Sequence, residues 1–261
     1  MRRKLLKIYW AMRGVIAPGL DYSQHQYESV LREYVGPEVE WLDVGCGHQV
    51  LPPWRLEAER RLVASCKRVA GIDYDEPSLA THTTIGFRVR GDISRLPFAD
   101  DTFGMVTANM VVEHLDDPET QFREVARVLR PGGVFIFHTP NASGYFTALT
   151  RRVPESWKGG LIRVLDGRAP GDVFKTYHRA NTEEDVCRLA GASGLEVVEV
   201  KPILTDAIFA SVPPLALVEL AYIRLLMSER LRRYRTNLIA VLRKREAPGG
   251  HANAHAPGAP G

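Results

Sequence analysis

Cysteine is scarce in this sequence, and the few cysteines present form no recognisable pattern. The 261 residues contain three, Cys46, Cys66 and Cys187, with neither a CxxC nor a Cys/His spacing. Scattered cysteines of this kind indicate free thiols in a reducing compartment, and predict neither a disulfide framework nor a zinc site. We therefore expect a cytoplasmic protein with no metal centre.

Long apolar runs and a strong charge imbalance are also missing. No window offers the roughly 18 uninterrupted apolar residues of a membrane span, and Lys7 and Arg13 interrupt the apolar N-terminal stretch. We therefore expect neither a membrane span nor a cleavable signal peptide. The net charge of +3 is too small to indicate nucleic-acid binding. The length suits one α/β domain.

What the sequence does contain is a regular alternation of strand and helix patterns. It predicts a Rossmann-like α/β fold: a doubly wound, mostly parallel seven-stranded sheet with helices on both faces. An Arg-Pro-Gly-Gly sequence at 130–133 predicts a helix stop followed by a turn. The predicted strands are 39–44, 69–73, 87–90, 105–109, 134–138, 195–200 and 237–242, and the predicted helices include 55–67, 118–129 and 182–192.

The ends of neighbouring strands carry the residues with the clearest chemistry. Gly45 and Gly47 follow the first strand, where the lack of a Cβ lets backbone approach a ligand. Asp73 ends the second strand and can accept two hydrogen bonds from a ribose diol, each contributing about 1.5–3 kcal/mol. Asp92 follows the third strand and is expected to point into the same crevice. Together they predict a nucleoside pocket.

Six sequence blocks, in order and at the right spacing, resemble the class I S-adenosylmethionine-dependent methyltransferases. The resemblance covers about residues 35–200 and is closest to the small-molecule branch, which includes ubiquinone-type and sugar methyltransferases. One departure is Gln49, which stands where the family usually has a further glycine. The blocks are 41–47, 71–75, 91–98, 101–106, 112–115 and 129–133.

This resemblance implies S-adenosylmethionine as the cofactor and gives roles to matching positions. Gly45 and Gly47 would line its methionine and ribose portion, with Asp43 supporting the loop. Asp73 would bind the ribose hydroxyls. Asn109, at the end of the fourth strand, would lie beneath the amino acid portion.

Three further positions would hold the adenine. Tyr74 would lie against the ring, Asp92 would accept from the adenine amino group, and the Ile93 backbone would donate to a ring nitrogen. A sulfonium cofactor brings its own electrophile, so the protein chiefly has to align donor and acceptor. This accounts for a sequence in which no nucleophile–base pair stands out.

Three histidines are candidates for a catalytic base. His138 ends the fifth strand and His178 precedes a helix, and a histidine with a pKa of roughly 6.5 can take a hydroxyl proton during methyl transfer. Substrate positioning is an equal alternative for both. His114 is the third candidate, although structural packing under the cofactor loop explains it better.

The segments outside this alternation predict the organisation of the chain. Residues 1–37 are expected to form an N-terminal helical lid, and 38–246 the methyltransferase domain, with substrate-side insertions at 140–180 and 203–235. Residues 247–261 are expected to be a disordered tail. The basic, aromatic N-terminus and the stretch 215–235, which is predicted to be helical through Leu231 and ends in Arg230, Arg232, Arg233 and Arg235, either cover a substrate cavity or make a peripheral contact with an anionic membrane.

The function expected is methyl transfer to a small molecule, on a hydroxyl oxygen of a sugar, phenol, quinone precursor or lipid-linked metabolite. Residues 109–112 lack the Asn-Pro-Pro-aromatic signature of many DNA and protein-amide methyltransferases, so nucleic acid is not an expected partner. Two alternatives stay open: a non-catalytic cofactor-binding or scaffold protein, and a nicotinamide-dependent oxidoreductase. The second would normally have glycine where Val50 stands. The sequence gives no indication of oligomeric state.

Overall fold

A central sheet organises the computed structural model, which describes residues 2–150 and 175–246. Within these ranges the sheet has seven strands in the order β3-β2-β1-β4-β5-β7-β6; the first five are parallel and β7 is antiparallel to both β5 and β6. The predicted tail and residues 151–174 of the predicted insertion lie outside the described residues. The strands are β1 (Glu40–Val44), β2 (Arg68–Asp73), β3 (Phe87–Arg90), β4 (Phe103–Asn109), β5 (Leu129–Pro140), β6 (Leu195–Ile203) and β7 (Asn237–Lys244).

Helices cover both faces of the sheet. Short 3₁₀ segments at Pro53–Arg55, Val112–His114 and Glu229–Tyr234 connect them to the strands. None of the described helices is both long enough and apolar enough to cross a bilayer. The α-helices are α1 (Arg2–Ile16), α2 (Ser23–Tyr34), α3 (Leu56–Ala64), α4 (Glu76–Thr81), α5 (Pro118–Val128), α6 (Tyr145–Thr150), α7 (Glu183–Ala192) and α8 (Pro213–Leu226).

Local sequence explains where the helices flanking the sheet begin. Asp117 caps α5 by accepting from the Thr120 N–H at 3.3 Å, with proline at the first helical position. Thr182 caps α7 by accepting from the Asp185 N–H at 3.1 Å, the bond expected of a capping box.

The core is divided by the sheet into two apolar layers. On one face Phe122 of α5 packs edge-on against Phe135 and Phe137 of β5, with ring centroids 5.5 and 5.8 Å apart. On the other face Trp41 of β1 and Tyr27 of α2 are fully buried. A third, smaller apolar cluster joins α1 to α8, outside the sheet layers.

Two of the predicted boundaries are wrong. Residues 130–133 do not form a separate turn, because β5 already begins at Leu129 and the register with β4 shifts there. Arg130 forms an ion pair with Glu40 of β1, which holds this stretch against the sheet. The helix predicted to reach Leu231 ends at Leu226 and is followed by a 3₁₀ segment.

The strand order reverses between β1 and β4, and this reversal leaves a crevice at the ends of those strands. Connections leaving β1 run towards β2 and β3, whereas β4 and β5 lie on its other side. In open α/β sheets ligands bind outside the carboxyl ends of the strands at such a reversal. The ends of β1, β2 and β4 are therefore the place to look for a site.

The Phe122 packing yields a stability prediction. Phe122→Ala should lower the free energy of unfolding by about 3–5 kcal/mol, because it opens a cavity between α5 and β5. Phe87→Ala is the matched control: its ring is 55% exposed, and its loss should cost under about 1 kcal/mol. Urea unfolding of both variants measures the difference, and equal losses would contradict this packing account.

Candidate functional site

The loop after β1 is held open by two glycines with different roles. Both have left-handed backbone, with φ of +67° at Gly45 and +50° at Gly47. A Cβ on Gly45 would lie 2.4 Å from the Val111 side chain, whereas one on Gly47 would meet no atom within 4 Å. Gly45 therefore makes room for Val111, and Gly47 leaves open space beside the loop.

Asp73 joins this loop to the end of β2. One carboxylate oxygen accepts from the Gly47 N–H at 2.8 Å, and the other accepts from the Asp75 N–H at the same distance. A carboxylate offers about four lone-pair positions, so acceptor capacity remains for ligand hydroxyls. The Asp73 carboxylate, which is predicted to bind ribose, thus contacts Gly47, which is predicted to line the cofactor.

The residues predicted to hold adenine lie at the adjoining end of β3. The Gly91 N–H donates to the Asp73 carbonyl at 3.0 Å, which brings Asp92 to the same edge of the sheet. Asp92 is exposed, Ile93 is half-buried, and Tyr74 is 56% exposed. The Asp92 side chain accepts from the Ser94 N–H at 2.7 Å, which orders the turn after β3.

Asp43 is predicted to support the loop after β1, but its side chain lies deeper in the protein than that loop. It is buried and accepts a hydrogen bond from the Thr107 hydroxyl, which in turn accepts from the Trp41 indole N–H at 2.6 Å. These bonds tie β1 to β4. Burial raises the pKa of Asp43 to about 8; the Thr107 hydrogen bond opposes this rise, and the charges of Glu59 and Asp73 add to it.

On the other side of the crevice, the Asn109 side chain contacts three separate parts of the chain. Its amide nitrogen donates to the Val50 carbonyl and the Gln24 side chain, both at 3.0 Å. Its oxygen accepts from Gln24 at 3.2 Å and faces Nδ1 of His138 at 3.0 Å. Helix α2, the loop after β1 and strand β5 are thereby fixed around the end of β4.

Comparison with known proteins agrees with this geometry. Residues 42–137 match the family described as "Methyltransferase domain". They contain the glycine loop, Asp73, Asp92 and Asn109, that is, the ends of four strands around the crevice.

Residues 42–137 are therefore similar to methyltransferase domains, and the relatives include proteins named as S-adenosylmethionine-dependent methyltransferases. The chain is 33% identical over 134 residues to a probable S-adenosylmethionine-dependent methyltransferase of Mycolicibacterium smegmatis, covering 49% of this chain and 48% of that protein. It is 33% identical over 156 residues to the demethylmenaquinone methyltransferase of Mycobacterium marinum, covering 58% and 60%.

Solved structures show the same fold. An S-adenosylmethionine-dependent methyltransferase from Mesorhizobium loti superposes with a TM-score of 0.55 at 18% identity, over 85% of this chain and 98% of that one. The curated relatives are matched over only about half of their length, so the resemblance describes the methyltransferase domain and not a whole protein.

Within the methyltransferase domain, the His138 ring lies between two asparagine side chains. It is buried, its Nδ1 faces the Asn109 oxygen, and its Nε2 lies 3.2 Å from the Asn237 amide nitrogen. Because Asn109 accepts and Asn237 donates, both ring nitrogens are engaged. Burial lowers the pKa of His138 to about 3. The His138 ring thus holds Asn109 and Asn237 in place, and its role as a base stays a prediction.

His114 and His178 lie together beside the exit of β4. His114 Nδ1 is 2.9 Å from the Lys175 carbonyl. The His178 N–H donates to the Glu113 carbonyl at 3.2 Å, and His178 is half-buried with a left-handed φ of +52°. Such strained backbone often occurs at functional sites.

Two site residues were missed at the sequence level. Gln24 reaches Asn109 from α2, 85 positions away in sequence. Glu113 is buried, accepts from the Thr139 hydroxyl at 2.9 Å, and holds residues 177 and 178 through its carbonyl. Glu113 belongs to the sequence block 112–115, which could have drawn attention to it, whereas a helical glutamine such as Gln24 carries no local signal.

The buried neutral His138 predicts a pH dependence. Its folded-state pKa of about 3 lies below the ordinary 6.5, so the unfolded chain binds more protons between these values. Stability contributed by neutral His138 is therefore present above pH 6.5 and lost as the pH falls towards 3. In His138→Gln the slope of unfolding free energy against pH should be smaller by about 1 kcal/mol per pH unit between pH 6 and 4.

Urea titrations of both proteins at pH 7, 6, 5 and 4 measure these slopes. The substitution will lower stability at every pH, so the slope and not the absolute value is the readout. Parallel curves for the two proteins would show that His138 does not titrate on unfolding.

Proposed function

We propose that this protein transfers the methyl group of S-adenosylmethionine to a small-molecule acceptor, on a hydroxyl oxygen. The observation that carries the proposal is the Asp73 carboxylate, held against the Gly47 N–H with acceptor capacity to spare and open space beside the loop. When bound, the cofactor supplies an electrophilic sulfonium methyl group. The chain itself has to bind, orient and shield the reactants.

The residues around the crevice divide this work. Asp73 is placed to accept from the ribose hydroxyls, with Tyr74, Asp92 and the Ile93 backbone on the adenine side. Asn109 would lie beneath the amino acid portion. Asp43 supports the bottom of the crevice through its hydrogen bond with Thr107.

The names of the relatives favour one acceptor class among those expected from the sequence. The Mycobacterium marinum relative is named for a quinone substrate. We therefore favour a quinone precursor or a similarly lipophilic ring over a sugar. A peripheral membrane contact belongs to the same proposal, because such acceptors partition into lipid. The cytoplasm remains the proposed location.

His178 is the base we propose for the acceptor hydroxyl. Its backbone is fixed to Glu113, next to the end of β4, and the residue lines a groove of about 560 Å³ with Asp116 and Arg179. The Arg179 guanidinium donates to the Asp116 carbonyl at 2.6 Å, which braces this segment. His114 remains a structural neighbour in this proposal.

Cofactor binding is tested by calorimetry with S-adenosylhomocysteine. Asp73→Ala should weaken binding at least about 100-fold, because two hydrogen bonds to a charged acceptor are lost. Asp100→Ala is the matched control, an exposed aspartate on the surface paired with Arg127. NAD should give no heat. Binding of NAD, or no difference between the two variants, would refute the assignment of the pocket.

Turnover is tested by transfer of labelled methyl to a panel of phenolic and quinol acceptors. His178→Gln should lower kcat about 100-fold or more while leaving S-adenosylhomocysteine binding intact, because proton removal and not cofactor binding is affected. The pH–rate profile of this variant should lose the limb that reports ionisation of the base.

Exposed His25 supplies the control for this experiment. His25→Gln should keep the kcat of the parent. If His178→Gln retains full turnover, His178 does not act as a base, and the alternative role of positioning the substrate is favoured. Cofactor binding without turnover on any acceptor would favour the alternative of a non-catalytic binding protein.

A further inference from the structure

Helix α8 is apolar on both of its sides. One side is buried against α1 and the segment 204–210. Leu215, Val218, Tyr222 and Leu225 recur at helical spacing on the opposite side, where they are 48%, 68%, 41% and 60% exposed. Surface helices normally carry charged or polar residues there.

Helix α1 extends this apolar surface. It packs beside α8 and exposes Ile8 at 47% and Val15 at 82%, which are seven positions apart and therefore lie on one side of the helix. Exposed apolar side chains clustered in this way mark interaction sites, whereas isolated ones do not. We call this cluster the α1–α8 surface; it consists of Ile8, Val15, Leu215, Val218, Tyr222 and Leu225.

The exposed charges on the two helices have one sign. Lys4, Lys7 and Arg224 are exposed. The acid within α1 and α8 is Glu219, which is buried and accepts from the Tyr145 hydroxyl at 2.6 Å and the Ile208 N–H at 3.0 Å. The apolar surface is therefore flanked by cations with no exposed carboxylate on either helix.

Four arginines closely follow α8 in the sequence: Arg230, Arg232, Arg233 and Arg235. Their contacts make them a weaker candidate for a membrane contact than the α1–α8 surface. Arg232 pairs with Glu183 at 2.7 Å, and Arg235 pairs with Glu229. The charges of two of the four arginines are thus neutralised within the protein.

We propose that the α1–α8 surface docks on an anionic phospholipid bilayer. Apolar side chains would enter the boundary between headgroups and acyl chains while the lysines and Arg224 face anionic headgroups. A second copy of the chain fits less well, because a two-fold contact through this surface would bring like charges together.

The same surface is connected to the candidate site. The Tyr9 hydroxyl donates to Asp206 at 3.0 Å and accepts from the Ala207 N–H at 3.0 Å, which ties α1 to the loop after β6. That loop touches α2, where the Ser23 hydroxyl is 3.2 Å from the Thr205 hydroxyl. The next residue of α2 is Gln24, the partner of Asn109.

This path places the docking surface at the carboxyl edge of the sheet, on the side of the crevice. A lipophilic acceptor could then pass from the bilayer to the site without crossing water. This last step rests on the proposed function; the docking itself does not.

Vesicle co-sedimentation of the full chain tests the proposal. The parent should bind vesicles of phosphatidylcholine and phosphatidylglycerol at low salt at least tenfold better than vesicles of phosphatidylcholine alone. Val218→Ser/Leu225→Ser should reduce this binding at least tenfold, and Lys4→Glu/Lys7→Glu should abolish the preference for anionic lipid.

The control is Val197→Ser/Val198→Ser, which removes two apolar side chains that are 39% and 43% exposed on β6. It should bind vesicles like the parent. Thermal unfolding and S-adenosylhomocysteine calorimetry on every variant establish that fold and cofactor site are intact, and so separate failure of docking from failure of the proposed function.

Three results would overturn the proposal. The first is no binding of the parent to anionic vesicles at low salt. The second is equal loss of binding in the α8 and β6 variants. The third is a dimer in sedimentation velocity that Val218→Ser/Leu225→Ser dissociates, which would assign the surface to a second copy of the chain.

Discussion

The hydrogen bonds of the Asn109 amide fix the geometry on which the candidate site depends. One side chain satisfies the Val50 carbonyl, the Gln24 amide and His138, so the loop after β1, helix α2 and strand β5 share a single anchor. Because each partner is partly or fully buried, a bond left unmade there would cost about 1–3 kcal/mol. The anchor also requires His138 to donate from Nδ1 and to stay neutral, and Asn237 enforces this from the other side of the ring.

The cofactor half of the site was predictable from sequence because its chemistry is local. Gly45 and Gly47 follow the buried strand β1, Asp73 ends the largely buried strand β2, and Asp92 follows the exposed edge strand β3. Buried parallel strands are encoded as short apolar runs. Once the runs are aligned, the residues after them must meet at one edge. The roles of these residues towards the cofactor remain predictions, but their convergence is a property of the fold.

The remainder of the site depends on contacts between distant parts of the chain. His138 resembles a substrate-facing residue when only its strand is considered; it is buried because Tyr27 of α2 stacks on its ring at 5.7 Å. Gln24 and Glu113 act through partners far away in sequence or through backbone atoms, which no periodicity reveals. The turn predicted at 130–133 failed for the same reason, since Glu40 holds Arg130 in the sheet.

These two kinds of contact divide the surroundings of the crevice into two groups of residues. The residues proposed to bind the ribose and adenine come from the ends of β1, β2 and β3. Gln24 of α2 and residues 177–178 contact Asn109 and Glu113, respectively, at the end of β4, and α1 and α8 pack on residues 204–210 after β6. The second group reaches the first through Asn109 and Glu113. Substitutions on the outer surface of α1 and α8 can therefore change where the protein meets its acceptor and leave the cofactor pocket intact. An apolar outer surface would be costly in a helix that served only as a lid, since a lid needs apolar residues on its inner side alone.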